Sequence, residues 1–95
     1  MNLHPELEAY RDRLVERCAA WPDAAPDELW RDLEQCRDQT ALLEKGIADL
    51  KRRLADASRE ESERLIHRTS VQEQMRDLTA AYAEVLKRHL DKLAS

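Results

Sequence analysis

An uninterrupted heptad pattern constrains this chain more than any other feature of its sequence. Between residues 29 and 57, apolar or small residues alternate at intervals of four and three: Leu29, Leu33, Cys36, Thr40, Leu43, Ile47, Leu50, Leu54 and Ala57. This spacing places all nine side chains on one face of an α-helix, as in the seam of a coiled coil. The pattern therefore predicts a long helix whose apolar face packs against another helix.

The composition extends this prediction to the whole chain. Of the 95 residues, 38% are charged, one is Gly and three are Pro, and Phe is absent. No stretch alternates apolar and polar residues as a half-buried strand does, so we predict an all-α protein. The single glycine, Gly46, lies inside the heptad pattern, where it costs about 1 kcal/mol relative to Ala and can let a neighbouring backbone come close.

The stretch "WPDAAP" is the only strongly marked turn. Pro22 and Pro26 disfavour a helical conformation for the residues that precede them. We therefore predict a short helix over about residues 5–20, a turn over 21–26 and a long helix over about 26–57, all within one helical domain of residues 1–95.

Two folds compete beyond residue 57, because the same heptad frame then meets charged residues. Continuing the frame puts Glu61, Arg64 and Arg68 at three successive core positions before apolar residues return. A single helix of about 68 residues in a dimeric coiled coil would bury these charges, at a cost of several kcal/mol for each unpaired one. Ser58 with Glu61 forms the sequence signature of a helix start.

We therefore favour an antiparallel helical hairpin with coiled-coil packing, in which residues 58–62 turn and a last helix covers about 62–94. Leu65, Leu86 and Leu93 lie one position beyond the frame, so the apolar face of this last helix is broad. A broad face predicts more than one neighbouring helix.

The remaining apolar and aromatic residues are predicted to belong to the core. Cys18 and Cys36 are interpreted as small buried hydrophobes. Cys36 is predicted to lie about two helical turns from the position opposite Cys18, which is too far for a disulfide. The four aromatic residues are interpreted as core anchors around the marked turn: Tyr10, Trp21, Trp30 and Tyr82.

Charge and hydropathy favour a soluble cytoplasmic protein. The formal net charge is −4 with acids and bases interspersed, and no apolar run approaches the ~20 residues of a membrane span. The basic run "KRRL" at residues 51–54 has acidic neighbours, which favours a solvated charged face. We therefore expect no membrane and no nucleic acid among the partners, with a nucleic-acid-binding helical protein kept as an alternative.

The sequence shows no group of residues with the types and spacing of a catalytic, metal-binding or cofactor-binding site. The three histidines are scattered, no His–Cys spacing suits a metal, and the chain lacks a glycine-rich phosphate loop. We therefore predict no catalytic residue, metal or cofactor, and no enzyme. An alternative is a small all-α enzyme: in length and architecture the chain resembles small chorismate mutases, whose inward-facing basic residues hold a dicarboxylate, and Glu61, Arg64 and Arg68 fall on the inward phase.

The favoured function is a non-enzymatic protein-interaction module, such as an assembly subunit, a scaffold, or a small helical chaperone or adaptor. The short first helix is expected to cover only one end of the hairpin and to leave the other end free for a dimer or another protein. The predicted interface residues are Leu43, Ile47, Leu50, Leu54, Leu65, Ile66, Val71 and Met75. In length, acidity and helical content, and in the stretch "DELWRDLEQ", the chain resembles small export chaperones of flagellar and type III secretion systems.

Overall fold

Three α-helices and one short 3₁₀ helix make up the computed structural model, which describes residues 4–95. Helix α1 spans Pro5–Ala19, the 3₁₀ helix Trp21–Asp23, α2 Pro26–Ala55 and α3 Arg59–Ala94. The first three residues of the predicted domain lie outside the described residues. Helices α2 and α3 pack along each other as a hairpin, and α1 lies against α3.

The predicted all-α hairpin is confirmed, and the alternative of one continuous helix is wrong. Helix α2 ends at Ala55, and three residues connect it to α3. The longest dimension of the Cα trace is 53 Å, against about 100 Å for an unbroken helix of this length. The chain reverses at residues 56–58, slightly before the predicted turn at 58–62.

The reversal needs neither Gly nor Pro. The amides of Asp56 and Ala57 donate back to the carbonyls of Arg53 and Leu54 and so close the end of α2. Ser58 then takes an extended conformation, and its hydroxyl accepts the amide hydrogen of Glu61 at 3.3 Å, which starts α3 as an N-cap. No non-glycine residue between 4 and 95 has a positive φ, so ordinary side chains suffice for this turn.

Helix α2 buries its predicted seam. Within the hairpin, the most buried seam residues are Leu29, Leu33, Cys36, Ile47 and Leu50. Leu43, Leu54 and Ala57 are half-buried, as is Thr40. The Thr40 hydroxyl donates to the carbonyl of Cys36 at 2.8 Å, so a polar residue fits in the seam with its hydrogen bond made inside the helix.

Helix α3 keeps the frame of α2 only in part. Its buried and half-buried residues include a run at intervals of four and three that lies one position beyond the continued frame: Leu65, Thr69, Gln72, Arg76, Thr79, Ala83, Leu86 and Leu90. Charged residues of the continued frame, such as Arg64 and Arg68, are exposed. Four apolar residues of the continued frame are also covered: Val71, Met75, Leu78 and Tyr82. Two covered stripes agree with the prediction that this helix has more than one neighbour, although Leu93, expected on the broad face, is 54% exposed.

The shifted stripe of α3 carries polar residues whose hydrogen bonds are satisfied. Thr69 and Thr79 are buried, and their hydroxyls donate to the carbonyls of Leu65 and Met75 at 2.6 and 2.8 Å. Among the described residues, every buried side-chain nitrogen or oxygen has a hydrogen-bond partner. These threonines can therefore pack in the hairpin without the penalty of an unsatisfied polar group.

Two expectations about individual core residues are wrong. Cys18 is exposed, because it lies on the edge of α1 beside the groove towards α3, whereas Cys36 is buried as predicted. Trp30 is 42% exposed on the outer side of α2, with the Lys87 ammonium 5.8 Å from its ring centroid. Trp21, in contrast, is buried in the core as predicted.

Candidate functional site

A chain of hydrogen bonds ties all the elements together at one end of the molecule. The indole Nε1 of Trp21 donates to the Tyr82 hydroxyl at 3.0 Å, and that hydroxyl donates to one carboxylate oxygen of Asp32. The other Asp32 oxygen accepts a hydrogen bond from the guanidinium of Arg17. Since these residues come from the 3₁₀ helix, α3, α2 and α1, the network fixes α1 against the hairpin.

Burial keeps Tyr82 neutral, and several contacts orient Arg17. Burial raises the pKa of Tyr82 above its usual value of 10.0, although the hydrogen bond from Trp21 and the positive charge of Arg17 oppose this. The Arg17 guanidinium lies 4.8 Å from the Tyr82 ring centroid, in cation–π geometry, and its Nη2 is 3.5 Å from the Cys36 sulfur. Arg17 is therefore held from several sides although its side chain is 41% exposed.

A polar cleft of about 280 Å³ opens between α1 and α2, next to this network. Most of its lining side chains can donate a hydrogen bond, and the full set is Tyr10, Arg13, Leu14, Arg17, Gln35, Cys36, Gln39 and Thr79. Arg13 and Arg17 are four residues apart on α1, and Gln35 and Gln39 are four residues apart on α2. This spacing puts each pair on one side of its helix.

The direction of the hydrogen bond between the two hydroxyls at the floor of the cleft can be assigned. The hydroxyls of Tyr10 and Thr79 are hydrogen-bonded to each other, and the single hydroxyl hydrogen of Thr79 is donated to the carbonyl of Met75. Tyr10 must therefore be the donor to Thr79. The Tyr10 oxygen keeps free lone pairs, and the floor offers an acceptor beside the donors of the walls.

An apolar groove of about 240 Å³ lies on the neighbouring flank of α1, towards α3, and shares Leu14 with the polar cleft. Its lining residues are Arg11, Leu14, Val15, Cys18, Trp21, Leu78, Ala81, Tyr82 and Val85. Val15 and Val85 are 60% and 50% exposed, so aliphatic side chains line the rim of the groove as well as its floor. This groove is the candidate interaction surface, and it is distinct from the surface predicted from the sequence.

The predicted interface residues lie at the other half of the hairpin and differ in accessibility. Ile47, Leu50 and Val71 are only 4%, 5% and 7% exposed, so the expectation that they lie uncovered is wrong. Ile66 is 56% exposed. Four others are half-buried: Leu43, Leu54, Leu65 and Met75. Whether a partner binds this region stays a prediction.

Two further clefts open in this half of the molecule. Leu43, Val71 and Met75 line one of about 430 Å³ with His4 and His67, whose ring centroids are 5.1 Å apart. The other, of about 610 Å³, lies at the hairpin turn. Three charged residues of the continued frame line it, namely Glu61, Arg64 and Arg68. Arg53 of α2 and Asp56 of the turn line it as well.

The charged and amide residues of the polar cleft and its network were not singled out in the sequence, where Tyr10, Cys36, Trp21 and Tyr82 were predicted only as core residues. Arg13 and Arg17, like Gln35 and Gln39, stand beside the apolar faces at four-residue spacing, but this spacing is common on solvated helices. Asp32 carries no local signal at all, because its partners lie 15 and 50 residues away in the sequence.

The described part of the chain lacks two kinds of site. No three or more His, Cys, Asp or Glu side chains within residues 4–95 are grouped so that they could hold a metal ion. None of the helices in this range has a stretch long and apolar enough to span a membrane.

The fold defines an all-α protein with a helical hairpin and a shorter helix packed on it. No protein-family model, no curated protein and no solved structure matches this chain.

Proposed function

We propose that this chain is a non-enzymatic, cytoplasmic protein-interaction module that associates through the groove between α1 and α3. The observation that carries the proposal is the solvent-exposed aliphatic rim of this groove, where Val15 and Val85 are 60% and 50% exposed above a floor that includes Leu14 and Trp21. An amphipathic helix that lays its apolar face in such a groove would bury both the rim and the floor.

The surface area supports association. The accessible surface is 7016 Å², about 1,300 Å² more than the ~5,700 Å² typical of a compact monomer of 11.1 kDa. A standard interface buries about 800 Å² on each partner. The elongated chain therefore has enough surface in excess of a compact monomer to form such an interface.

The occupant that we propose is a second copy of the chain. A twofold interface requires a self-complementary patch, which means a ridge that fits a hollow on the same surface. The groove offers both, because Val15 and Val85 project at its edges while Leu78 and Tyr82 lie in its floor. In the resulting dimer, each copy would place an aliphatic ridge in the groove of the other.

Analytical ultracentrifugation of the full chain tests this proposal. We expect a dimer for the wild type and a monomer for Val85→Asp, because the dimer would have to bury the introduced carboxylate unpaired. The matched control is Ile66→Asp, since Ile66 is exposed on the same helix to a similar extent but lies outside the groove. Circular dichroism should show that both variants stay folded.

The two variants also separate the groove from the surface predicted from the sequence. Loss of the dimer in Ile66→Asp alone would assign the interface to the other half of the hairpin. A wild type that stays monomeric at all concentrations would overturn the second copy as the occupant. A thiol reagent gives an independent measurement, since Cys18 lines the groove and its modification should slow as the dimer forms.

A further inference from the structure

The polar cleft between α1 and α2 has a local charge opposite to that of the protein. The formal net charge of the chain is −4, but the eight residues that line the cleft include two arginines and no carboxylate. Asp32 forms an ion pair with Arg17 and so neutralises one of the two positive charges. The cleft is therefore left with about one positive charge, which suits a ligand that carries one negative charge.

The two arginines differ in how they are held. Arg17 is oriented by Asp32, by the Tyr82 ring and by the Cys36 sulfur. Arg13 lies 5.7 Å from the Tyr10 ring centroid, and no carboxylate among residues 4–95 lies within ion-pairing distance of it. Arg13 thus has its guanidinium donors available, and a planar carboxylate can accept two of them at once.

The opposite wall and the floor fit the same ligand. Gln35 and Gln39 on α2 each offer an amide that can donate to an oxygen atom, and the Tyr10 hydroxyl offers an acceptor. Leu14 and Cys36, which are both buried, add apolar wall next to these polar groups. A ligand with a charged end and an apolar body would therefore satisfy both parts of the cleft.

The size of the cleft limits the ligand. A volume of about 280 Å³ lies slightly below the range for small-molecule sites, which begins at ~300 Å³. At ~30 Å³ for each water, the cleft would hold roughly nine waters, which leaves room for a single aromatic ring with a carboxylate but not for a much larger ligand.

We propose that this cleft binds a small organic monocarboxylate with a compact apolar body. Arg13 pairs with the carboxylate, Arg17 supports it from its fixed position, and Gln35 and Gln39 complete its hydrogen bonds. The cleft and the groove assigned to association open on neighbouring flanks of α1 and share Leu14. The polar residues assigned to the carboxylate lie outside the groove, so the proposal does not depend on the dimer.

A titration of the ¹⁵N-labelled full chain with sodium benzoate, followed by NMR, tests the proposal. We expect saturable shifts at the side-chain amides of Gln35 and Gln39 and at the backbone of α1 around Arg13. Benzamide, which has the same shape and no charge, is the ligand control. Sodium chloride at equal ionic strength and inorganic phosphate are the anion controls.

Two variants connect the shifts to the cleft. Arg13→Gln should weaken benzoate binding about tenfold, which corresponds to about 1.4 kcal/mol. Arg37→Gln removes the same charge from an exposed position of α2 that does not line the cleft, and it should leave the affinity unchanged. Equal melting temperatures for both variants and the wild type would show that the fold is intact.

Several results would overturn the proposal. They are the absence of saturable benzoate shifts, equal weakening by Arg13→Gln and Arg37→Gln, and benzamide binding as tightly as benzoate. Phosphate binding as tightly as benzoate would overturn the assigned ligand class, because the apolar wall would then contribute nothing.

Discussion

Trp21 donates its indole N–H to the hydroxyl of Tyr82 across 3.0 Å, although the two residues are 61 positions apart in the sequence. Their rings are 5.4 Å apart between centroids, and the His89 ring stacks on Trp21 at 5.3 Å. Both Trp21 and Tyr82 are buried. This contact joins the turn after α1 to the last helix, and both residues line the apolar groove.

Replacement of Tyr82 by Phe should destabilise the protein by about 1–3 kcal/mol, because the buried indole N–H of Trp21 would lose its acceptor. Urea unfolding followed by circular dichroism measures the change. Tyr10→Phe is the matched control: it also removes a hydroxyl, but Thr79 keeps its hydrogen bond to Met75, so its cost should be smaller. Equal stability of Tyr82→Phe and the wild type would contradict the importance of this contact.

Alkaline pH should destabilise the wild type through Tyr82. Burial raises the pKa of Tyr82 in the folded state above 10.0, so the unfolded chain loses this proton at a lower pH than the folded one. The stability that the neutral Tyr82 hydroxyl gives to the folded state is fully present below pH 10.0, and it is lost as the pH rises through the folded-state pKa. Urea unfolding at pH 9 and above 10 should show a smaller loss in Tyr82→Phe than in the wild type. Parallel losses in the two proteins would refute this assignment.

Ser58→Ala should destabilise the hairpin by about 1 kcal/mol, because the Ser58 hydroxyl caps α3 by accepting the amide hydrogen of Glu61. Thermal unfolding measures the effect. The control is Ser62→Ala, since Ser62 lies inside the helix and Ala has the higher helix propensity. If both variants behave alike, the cap contributes nothing to the turn.

Gly46→Ala should stabilise the protein. Ala is favoured over Gly in a helix by about 1 kcal/mol, and a Cβ at position 46 would lie 2.9 Å from the Gln72 Oε1. This oxygen is the far end of a flexible side chain, which can rotate away at low cost. A double-mutant cycle with Gln72→Ala, measured by urea unfolding, gives the coupling. A destabilised Gly46→Ala that Gln72→Ala rescues would contradict this prediction.

The sequence predicts the hairpin because its strongest signal is local. The heptad spacing from Leu29 to Ala57 sets the seam of α2, and Ser58 with Glu61 marks the start of α3. The side of α1 on which Cys18 lies and the exposure of Trp30 could not be predicted in this way. Both depend on how far α1 extends over the hairpin, which is determined by tertiary packing.

The candidate sites were harder to predict than the fold. The predicted interface assumed that this half of the hairpin leaves its apolar residues uncovered, yet Ile47 and Leu50 are buried in the folded chain. The cleft at Arg13 and Gln39 is formed by polar residues of two helices that meet only in the folded chain. Helical periodicity reports burial along one helix, and it contains no information about which flanks of two helices face each other.

The one-position shift between the seam of α2 and the buried stripe of α3 has a consequence for the folding of this chain. At about 100° per residue in an α-helix, a straightened chain would keep Val71, Met75, Leu78 and Tyr82 in line with the seam of α2. It would turn the shifted stripe, with its most buried residues Leu86 and Leu90, to a different side of the rod. Opening the hairpin and exchanging α3 between two copies would therefore separate residues that the hairpin buries together. The shift thus acts against domain swapping, and it does so without any glycine or proline at residues 56–58.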